Sequence, residues 1–251
     1  AKSERNQLNN KGWVMNPILN LQSLNPKDFK NIREWSTNRI ICSEKITKVF
    51  ENIFKEPPKI VQSMYFEGNS ATWEHQDTYY LDSERIGTMA AAWIALEDIE
   101  VNAGRFFVCP KTHLLKLNKQ NKANNVAYNH DVYIKQIVEL MKKEKMPIIA
   151  PYLKKGDALF WNSRTIHGSL DTQDIQNSRS SITVHAIPSK DLFLQLQSRK
   201  IDIPTDKVNN AKIWRPKDQA KLKNRIILAL ESKFPGPFYT IKKTIINMMV
   251  K

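Results

Sequence analysis

From residue 59 to residue 187 the chain is cut into short extended runs separated by turns, and this texture limits the folds open to it. Residues 60–66 read as a strand, Gly68-Asn69 as a turn, and residues 71–77 as a second strand. Residues 88–96 are almost continuously apolar, as in a buried strand. Residues 105–109 form a short run ended by Pro110, because proline cannot donate to a sheet ladder. Residues 148–153, 158–161 and 180–187 complete the set. Many short strands joined by turns and irregular loops close into a sandwich or a barrel.

Helical periodicity brackets that core. Residues 28–38 place Phe29, Ile32 and Trp35 at helical spacing, and Ser43 is a candidate N-cap for a helix carrying Ile46, Val49, Phe50 and Ile53. Pro57-Pro58 stops that helix, and its aromatics read as core. A helix with Ile134, Ile137, Val138 and Met141 on one face follows the basic, Asn-rich stretch 116–125. The last fifty residues show two further stripes, Leu222, Ile226, Ala229 and Leu230, then Phe238, Ile241, Ile245 and Met248. The expected organisation over residues 1–251 is one domain: a helical N-terminal support (1–58), a β core (59–190) and a helical C-terminal extension (191–251). Residues 1–11 are polar and read as a frayed end.

Composition narrows the function classes. The 251 residues hold two cysteines, Cys42 and Cys109, neither in a CxxC pair. That disfavours a disulfide framework or a thiolate metal site and points to a reducing, cytoplasmic setting. No apolar run reaches the roughly 18 residues of a membrane span, and the N-terminus carries no signal-peptide pattern. The formal net charge of +14 favours anionic partners, whether small molecules, nucleic acid or an acidic membrane surface. No zinc-finger spacing, RNA-binding aromatic signature or dense Arg run supports nucleic acid.

Chemistry enters at Trp73-Glu74-His75-Gln76-Asp77-Thr78-Tyr79-Tyr80. Along an extended chain, residues i and i+2 share a face, so His75 and Asp77 can aim an imidazole and a carboxylate at one point. They supply two-thirds of the 2-His-1-carboxylate arrangement that holds non-haem Fe(II) with open positions. Of five histidines, His167 is the natural third ligand: it follows a turn, an apolar strand and a short loop, and precedes Gly168-Ser169. Arg179 comes twelve residues later with Ser181 on the same strand face. An arginine with a neighbouring hydroxyl is a clamp for a carboxylate such as the distal one of 2-oxoglutarate.

With these residues the sequence resembles the phytanoyl-CoA dioxygenase family of Fe(II)/2-oxoglutarate oxygenases over residues 61–188. The matching blocks fall in family order. His75-Gln76-Asp77 and Trp93-Ile94-Ala95-Leu96 come first, then the stretch from Ala103-Gly104-Arg105 to Thr112-His113. Gly156-Asp157, His167-Gly168-Ser169 and Arg179 follow. The resemblance implies a mostly β fold with flanking helices around a double-stranded β-helix (jelly-roll, cupin-like) core. It makes His75, Asp77 and His167 the iron ligands and Arg179 the 2-oxoglutarate clamp, with Ser181 its partner. Gln62 and Trp93 match cosubstrate contacts of relatives, and Tyr80 an aromatic at the pocket entrance.

Two departures stand out: Glu74 replaces the Trp often found before the first ligand, and Lys111 replaces the glycine of the family's turn. Asp77 is retained where halogenating relatives carry Ala or Gly, which favours hydroxylation. The resemblance therefore implies a dioxygenase using Fe(II), 2-oxoglutarate and O2 to hydroxylate a C–H bond, with release of succinate and CO2. The positive charge suggests an anionic small molecule or a lipid- or glycan-linked substrate. The competing hypothesis is a non-catalytic basic module on the same scaffold, docking to acidic membrane or nucleic acid. Among the remaining features, His113 is expected to stabilise its turn and His130 to begin a surface helix. His185 shares the face of Arg179 and Ser181, where it would either line the site against substrate or be a satisfied core histidine. The 116–125 stretch reads as a solvated loop or a lid. The last helix, with Lys242, Lys243 and Lys251 beside its apolar stripe, is expected to pack on the core, with contact to a membrane surface as the alternative.

Overall fold

Strand formers and turn residues alternate along the middle of the chain, and the computed structural model shows what they build; it describes residues 8, 11–69, 72–115 and 126–250. The strands in chain order are β1 (Ile18–Leu19), β2 (Pro58–Phe66), β3 (Leu81–Ser83), β4 (Ala90–Ala95), β5 (Phe106–Val108) and β6 (Ala158–Asn162). They continue with β7 (His167–Ser169), β8 (Ser181–Pro188), β9 (Phe193–Gln195), β10 (Arg199–Ile201), β11 (Thr205–Val208) and β12 (Ala211–Trp214). The helices are α1 (Pro26–Trp35), α2 (Glu44–Phe54), α3 (Val126–Lys143), α4 (Leu222–Lys233) and α5 (Pro235–Val250).

A large sheet runs in the order β11-β12-β2-β8-β4-β6, with β1 also on β2. A smaller layer pairs β5 with β7, and single bridges extend it at both ends, His75 to His167 and Val108 to Ile149. The chain crosses between layers: β2 in the large one, His75 in the small, β4 in the large, β5 and Ile149 in the small, β6 in the large, β7 in the small, β8 in the large. This is the winding of a jelly roll, as the family resemblance implied.

Both faces of the large sheet are covered, which explains the nearly unbroken apolar run of β4. Ala90, Ala92 and Ile94 join Ile182, Val184 and Ala186 under Ile46 and Phe50 of α2. On the other face, Ala91, Trp93 and Ala95 join Phe106 and Trp161 in the space between the layers. Fully burying a side chain such as Phe50 stabilises the fold by about 1.5–3 kcal/mol.

Several elements differ from the expectation. Residues 72–77 are no strand: His75 makes a single bridge, then a 3-10 turn spans Asp77–Tyr79. The buried Asp82 carboxylate bends the chain here by accepting from Thr78 Oγ1, Ser163 Oγ and the amides of Ser83, Gly87 and Met89. Residues 148–153 contribute only the Ile149 bridge. Residues 191–214, expected to begin a helical extension, hold four short strands, and β12 widens the large sheet by pairing parallel to β2. Their alternation was present in the sequence: Ala211 and Ile213 are buried while Lys212 is exposed.

The first helix starts at Pro26, where Asn25 Oδ1 accepts from the Lys27 amide, and a π-helical turn, Ser36–Ile41, follows it. Phe29, Ile32 and Trp35, expected in the core, are exposed. Ser43 stands at the N-cap of α2, but its hydroxyl donates back to the Ile40 carbonyl. The 116–125 stretch lies outside the described residues.

Candidate metal centre

His75, Asp77 and His167 converge where the smaller layer meets the bend after His75, with one ligand atom of each within 4.8 Å of the others. His75 Nε2 lies 3.7 Å and His167 Nε2 3.4 Å from Asp77 Oδ1. The paired bridge from His75 to His167 sets the two imidazoles side by side, ring centres 4.3 Å apart. The shared face expected from an extended run thus arises differently: His75 and His167 are neighbours across the layer, and the turn brings Asp77 beneath them.

The surrounding backbone fixes which atoms face the gap. His75 Nδ1 is 2.9 Å from the Trp73 carbonyl and His167 Nδ1 is 2.9 Å from the Thr165 carbonyl. A carbonyl oxygen only accepts, so both Nδ1 atoms carry the proton and both Nε2 lone pairs are left for a metal. Asp77 is divided in the same way. Trp161 Nε1 donates to Oδ2 at 2.8 Å, leaving Oδ1 toward the histidines. Burial works to raise the Asp77 carboxyl, but the facing rings of His167 and His185 hold it well below the usual carboxylate range. Two imidazole nitrogens and one carboxylate oxygen fit a facial site for Fe(II).

Deeper between the layers, cross-strand register arranges the other expected residues in rows. Phe66, Ser181 and Ala95 stand in one row, Met64, Thr183, Trp93 and Leu159 in the next, and Gln62, His185, Ala91 and Trp161 in a third. Arg179 sits just before β8 rather than on it; its amide donates to the Glu67 carbonyl and its Nη1 to the Gly104 carbonyl at 3.0 Å. Gly104 has φ +72°, and a Cβ there would strike Asn69 and the Leu170 carbonyl, so this close approach requires glycine. The guanidinium, 2 % exposed, lies 5.5 Å from the Phe66 ring and 6.0 Å from that of Trp93. No carboxylate pairs with it among the described residues, and burial pushes it down to about 10. Arg179 Nε and Ser181 Oγ are buried with no hydrogen-bond partner.

His185 is 1 % exposed, and its Nε2 lies 3.4 Å from Asp77 Oδ2. It stands behind the carboxylate, buried between the layers. Tyr80 packs edge-on against His75, and its hydroxyl meets His130 Nε2 at 2.8 Å. His130, expected to begin a surface helix, lies within α3 and reaches the rim of the site. His113 lies in the short 3-10 turn Thr112–Leu114. Two contributors carried no role in the sequence reading. Trp161 could have been suspected from its strand six residues before His167; the role of Gly104 depends on a contact no local pattern encodes.

Comparison with known proteins agrees with this geometry. The family model described as Phytanoyl-CoA dioxygenase (PhyH) matches residues 6–178, stopping one residue short of Arg179. The chain is similar to the phytanoyl-CoA dioxygenase domain-containing protein 1 homolog of Caenorhabditis briggsae, 24 % identical over 178 residues. That match covers 62 % of this chain and 58 % of the relative, so the chain spans little more than half of that protein's length. Among solved structures it resembles the non-haem α-ketoglutarate-dependent carbocyclase SnoK from nogalamycin biosynthesis, with a TM-score of 0.54 and 18 % identity. The shared part is 74 % of this chain and 69 % of that one. It also resembles the epimerase SnoN in complex with Fe3+, α-ketoglutarate and nogalamycin RO, at TM-score 0.52 and 19 % identity, over 84 % and 78 % of the two chains. At these identities the structural likeness shows the fold, and it is the same jelly roll.

Proposed function

The chain belongs to the phytanoyl-CoA dioxygenase family of iron- and 2-oxoglutarate-dependent oxygenases, and from that premise we propose that it hydroxylates a C–H bond of a small molecule. The observation that carries the reading is the division of labour around the site. The outward atoms of His75, Asp77 and His167 are tied to protein while one atom of each faces a common point. Deeper between the layers, the buried Arg179 Nε and Ser181 Oγ have no hydrogen-bond partner among the described residues.

In this reading His75 Nε2, His167 Nε2 and Asp77 Oδ1 would hold Fe(II), with Trp161 fixing the other carboxylate oxygen. Arg179 would receive the distal carboxylate of 2-oxoglutarate, with Ser181 adding a hydroxyl. Gln62 and Trp93, on the same inner face, bound the cosubstrate; Trp93 and Phe66 keep water from the clamp. Tyr80, held by His130, frames the open side at His75 and orients substrate there. When bound, the iron with 2-oxoglutarate and O2 supplies the oxidising power, yielding succinate and CO2 and adding oxygen to the substrate. The protein positions the partners and keeps their surroundings dry.

The excess of positive charge supports an anionic small molecule, or one linked to a lipid or glycan, as substrate. Two free, buried cysteines support a reducing, cytoplasmic setting. A non-catalytic module would have no physical need for the complete ligand set and an unpaired buried arginine together. The deciding experiment is an anaerobic titration with Fe(II) and 2-oxoglutarate, followed by the visible metal-to-ligand charge-transfer band. A band in the wild type that is lost in His167→Ala supports the proposal; no band in folded, iron-loaded protein overturns it.

A further inference from the structure

The C-terminal helices α4 and α5 carry a surface that the iron chemistry does not use. In α5 every residue with a described side chain except Pro235 and Phe238 is exposed. Phe234 at the junction is 57 % exposed, and Ile241, Ile245 and Met248 are 61 %, 50 % and 72 % exposed. Steps of four and three residues put Ile241, Ile245 and Met248 on one stripe of α5. In α4, Leu222, Ile226 and Leu230 form a second exposed stripe. Contiguous apolar surface of this kind marks a site that something covers.

Charge selects the cover. Residues 221–250 contain six cationic side chains, Lys221, Lys223, Arg225, Lys233, Lys242 and Lys243, and one acid, Glu231. Glu231 is buried and engaged by Lys217 Nζ at 3.3 Å and the Tyr239 hydroxyl at 2.8 Å, so it does not offset the cations at the surface. A second copy of the chain would bring two such faces together and pay for the apolar contact with like-charge repulsion. A bilayer rich in anionic headgroups supplies both complements, an apolar interior for the stripe and negative charge for the flanking lysines. Tyr239, with Lys242 Nζ 5.6 Å from its ring, is the amphipathic kind of side chain that settles at such a boundary. No helix among the described residues is long and apolar enough to cross a membrane, so the geometry is that of a helix lying in the surface.

We infer that the α4–α5 segment docks this protein on an acidic lipid bilayer through the stripe of Ile241, Ile245 and Met248, with Phe234 at its start and Lys242 beside it. The inference rests on the exposed face and stands independently of the iron site.

The test is co-sedimentation of the full chain with phosphatidylcholine vesicles, with and without phosphatidylglycerol, at low and high salt. Binding should be at least about tenfold tighter on the acidic vesicles and weaken as salt rises. The double variant Ile241→Asp/Ile245→Asp should lose vesicle binding. Lys242→Glu/Lys243→Glu should lose the preference for acidic lipid. All four side chains are exposed, so unchanged helical circular dichroism and an unchanged Fe(II)–2-oxoglutarate band serve as controls for folding. The inference is overturned by absent binding, by equal binding to neutral vesicles, or by wild-type binding in the Asp variant. A dimer in solution that the Asp variant dissociates, with no vesicle binding, would overturn it in favour of a second copy as the cover.

Discussion

The two ends of the space between the sheets are built on opposite principles. At the metal end, each outward atom is committed: His75 and His167 donate from Nδ1 to backbone carbonyls, and Trp161 donates to Asp77 Oδ2. At the inner end, the Arg179 guanidinium bonds the Gly104 carbonyl, and among the described residues its Nε and the Ser181 hydroxyl have no partner. The first region is preorganised by the protein; in the proposed reading the second is completed by the cosubstrate. A buried, unpaired charge destabilises the chain that carries it, so a site of this kind trades stability for recognition.

The most severe way to break the metal end is to remove a ligand. Asp77→Ala or His167→Ala should lower turnover by more than about a thousandfold and abolish the charge-transfer band; a normal rate in either would refute the ligand assignment. The inner end should respond differently. Arg179→Ala should raise the apparent KM for 2-oxoglutarate by about 10- to 100-fold, the size of a charge-assisted pair, and an unchanged KM would remove the clamp.

Arg179→Met sharpens the contrast further. Without cosubstrate this variant should be more stable than the wild type by about 1–4 kcal/mol, read from denaturant midpoints, and it should lose the extra stability that 2-oxoglutarate confers on the wild type. Since burial lowers the folded-state value of Arg179 to about 10, the folded protein releases this proton before the unfolded chain does. Stability from this group therefore rises only above about pH 10, and its cost is fully present at neutral pH. A Met variant weaker than the wild type would mean that Arg179 is already satisfied.

Trp161→Phe keeps the ring and deletes one donor to Asp77. It should weaken metal affinity by about 10- to 100-fold, measured by competition with a chelator, while the sheet stays intact. Tyr80→Phe, which removes the hydroxyl bonded to His130, should have the smallest effect, about 0.5–1.5 kcal/mol at most in stability. It should leave the metal band unchanged, and a large loss of the band would place Tyr80 in the ligand set.

Much of this was legible in the sequence because it was local. His75 and Asp77 are two residues apart, β4 is apolar enough to be buried on both faces, and Arg179 follows His167 by the spacing that carries the chain from β7 to β8. What failed was equally local in its logic. The 71–77 run has a strand's spacing, but after His75 the chain enters the 3-10 turn Asp77–Tyr79, whose Thr78 hydroxyl donates to Asp82. Phe29, Ile32 and Trp35 have a core helix's spacing, yet periodicity says only that a face is apolar and not that anything covers it. His130 read as a surface residue because its partner, Tyr80, lies fifty residues away in the chain.

The sequence by itself therefore determined the candidate donors, a β-rich core and the presence of an arginine suited to a carboxylate, since these depend on residue type and short spacing, while the jelly roll followed from the family resemblance. Only the tertiary structure decided which nitrogen of each histidine is left open, which oxygen of Asp77 turns to the metal, and that Arg179 is buried without an anion. Those properties belong to contacts between Trp161 and Asp77, Thr165 and His167, Gly104 and Arg179. A side chain's hydrogen-bonding state is set by its neighbours in space, and most of these neighbours are brought together only when the sheets pair.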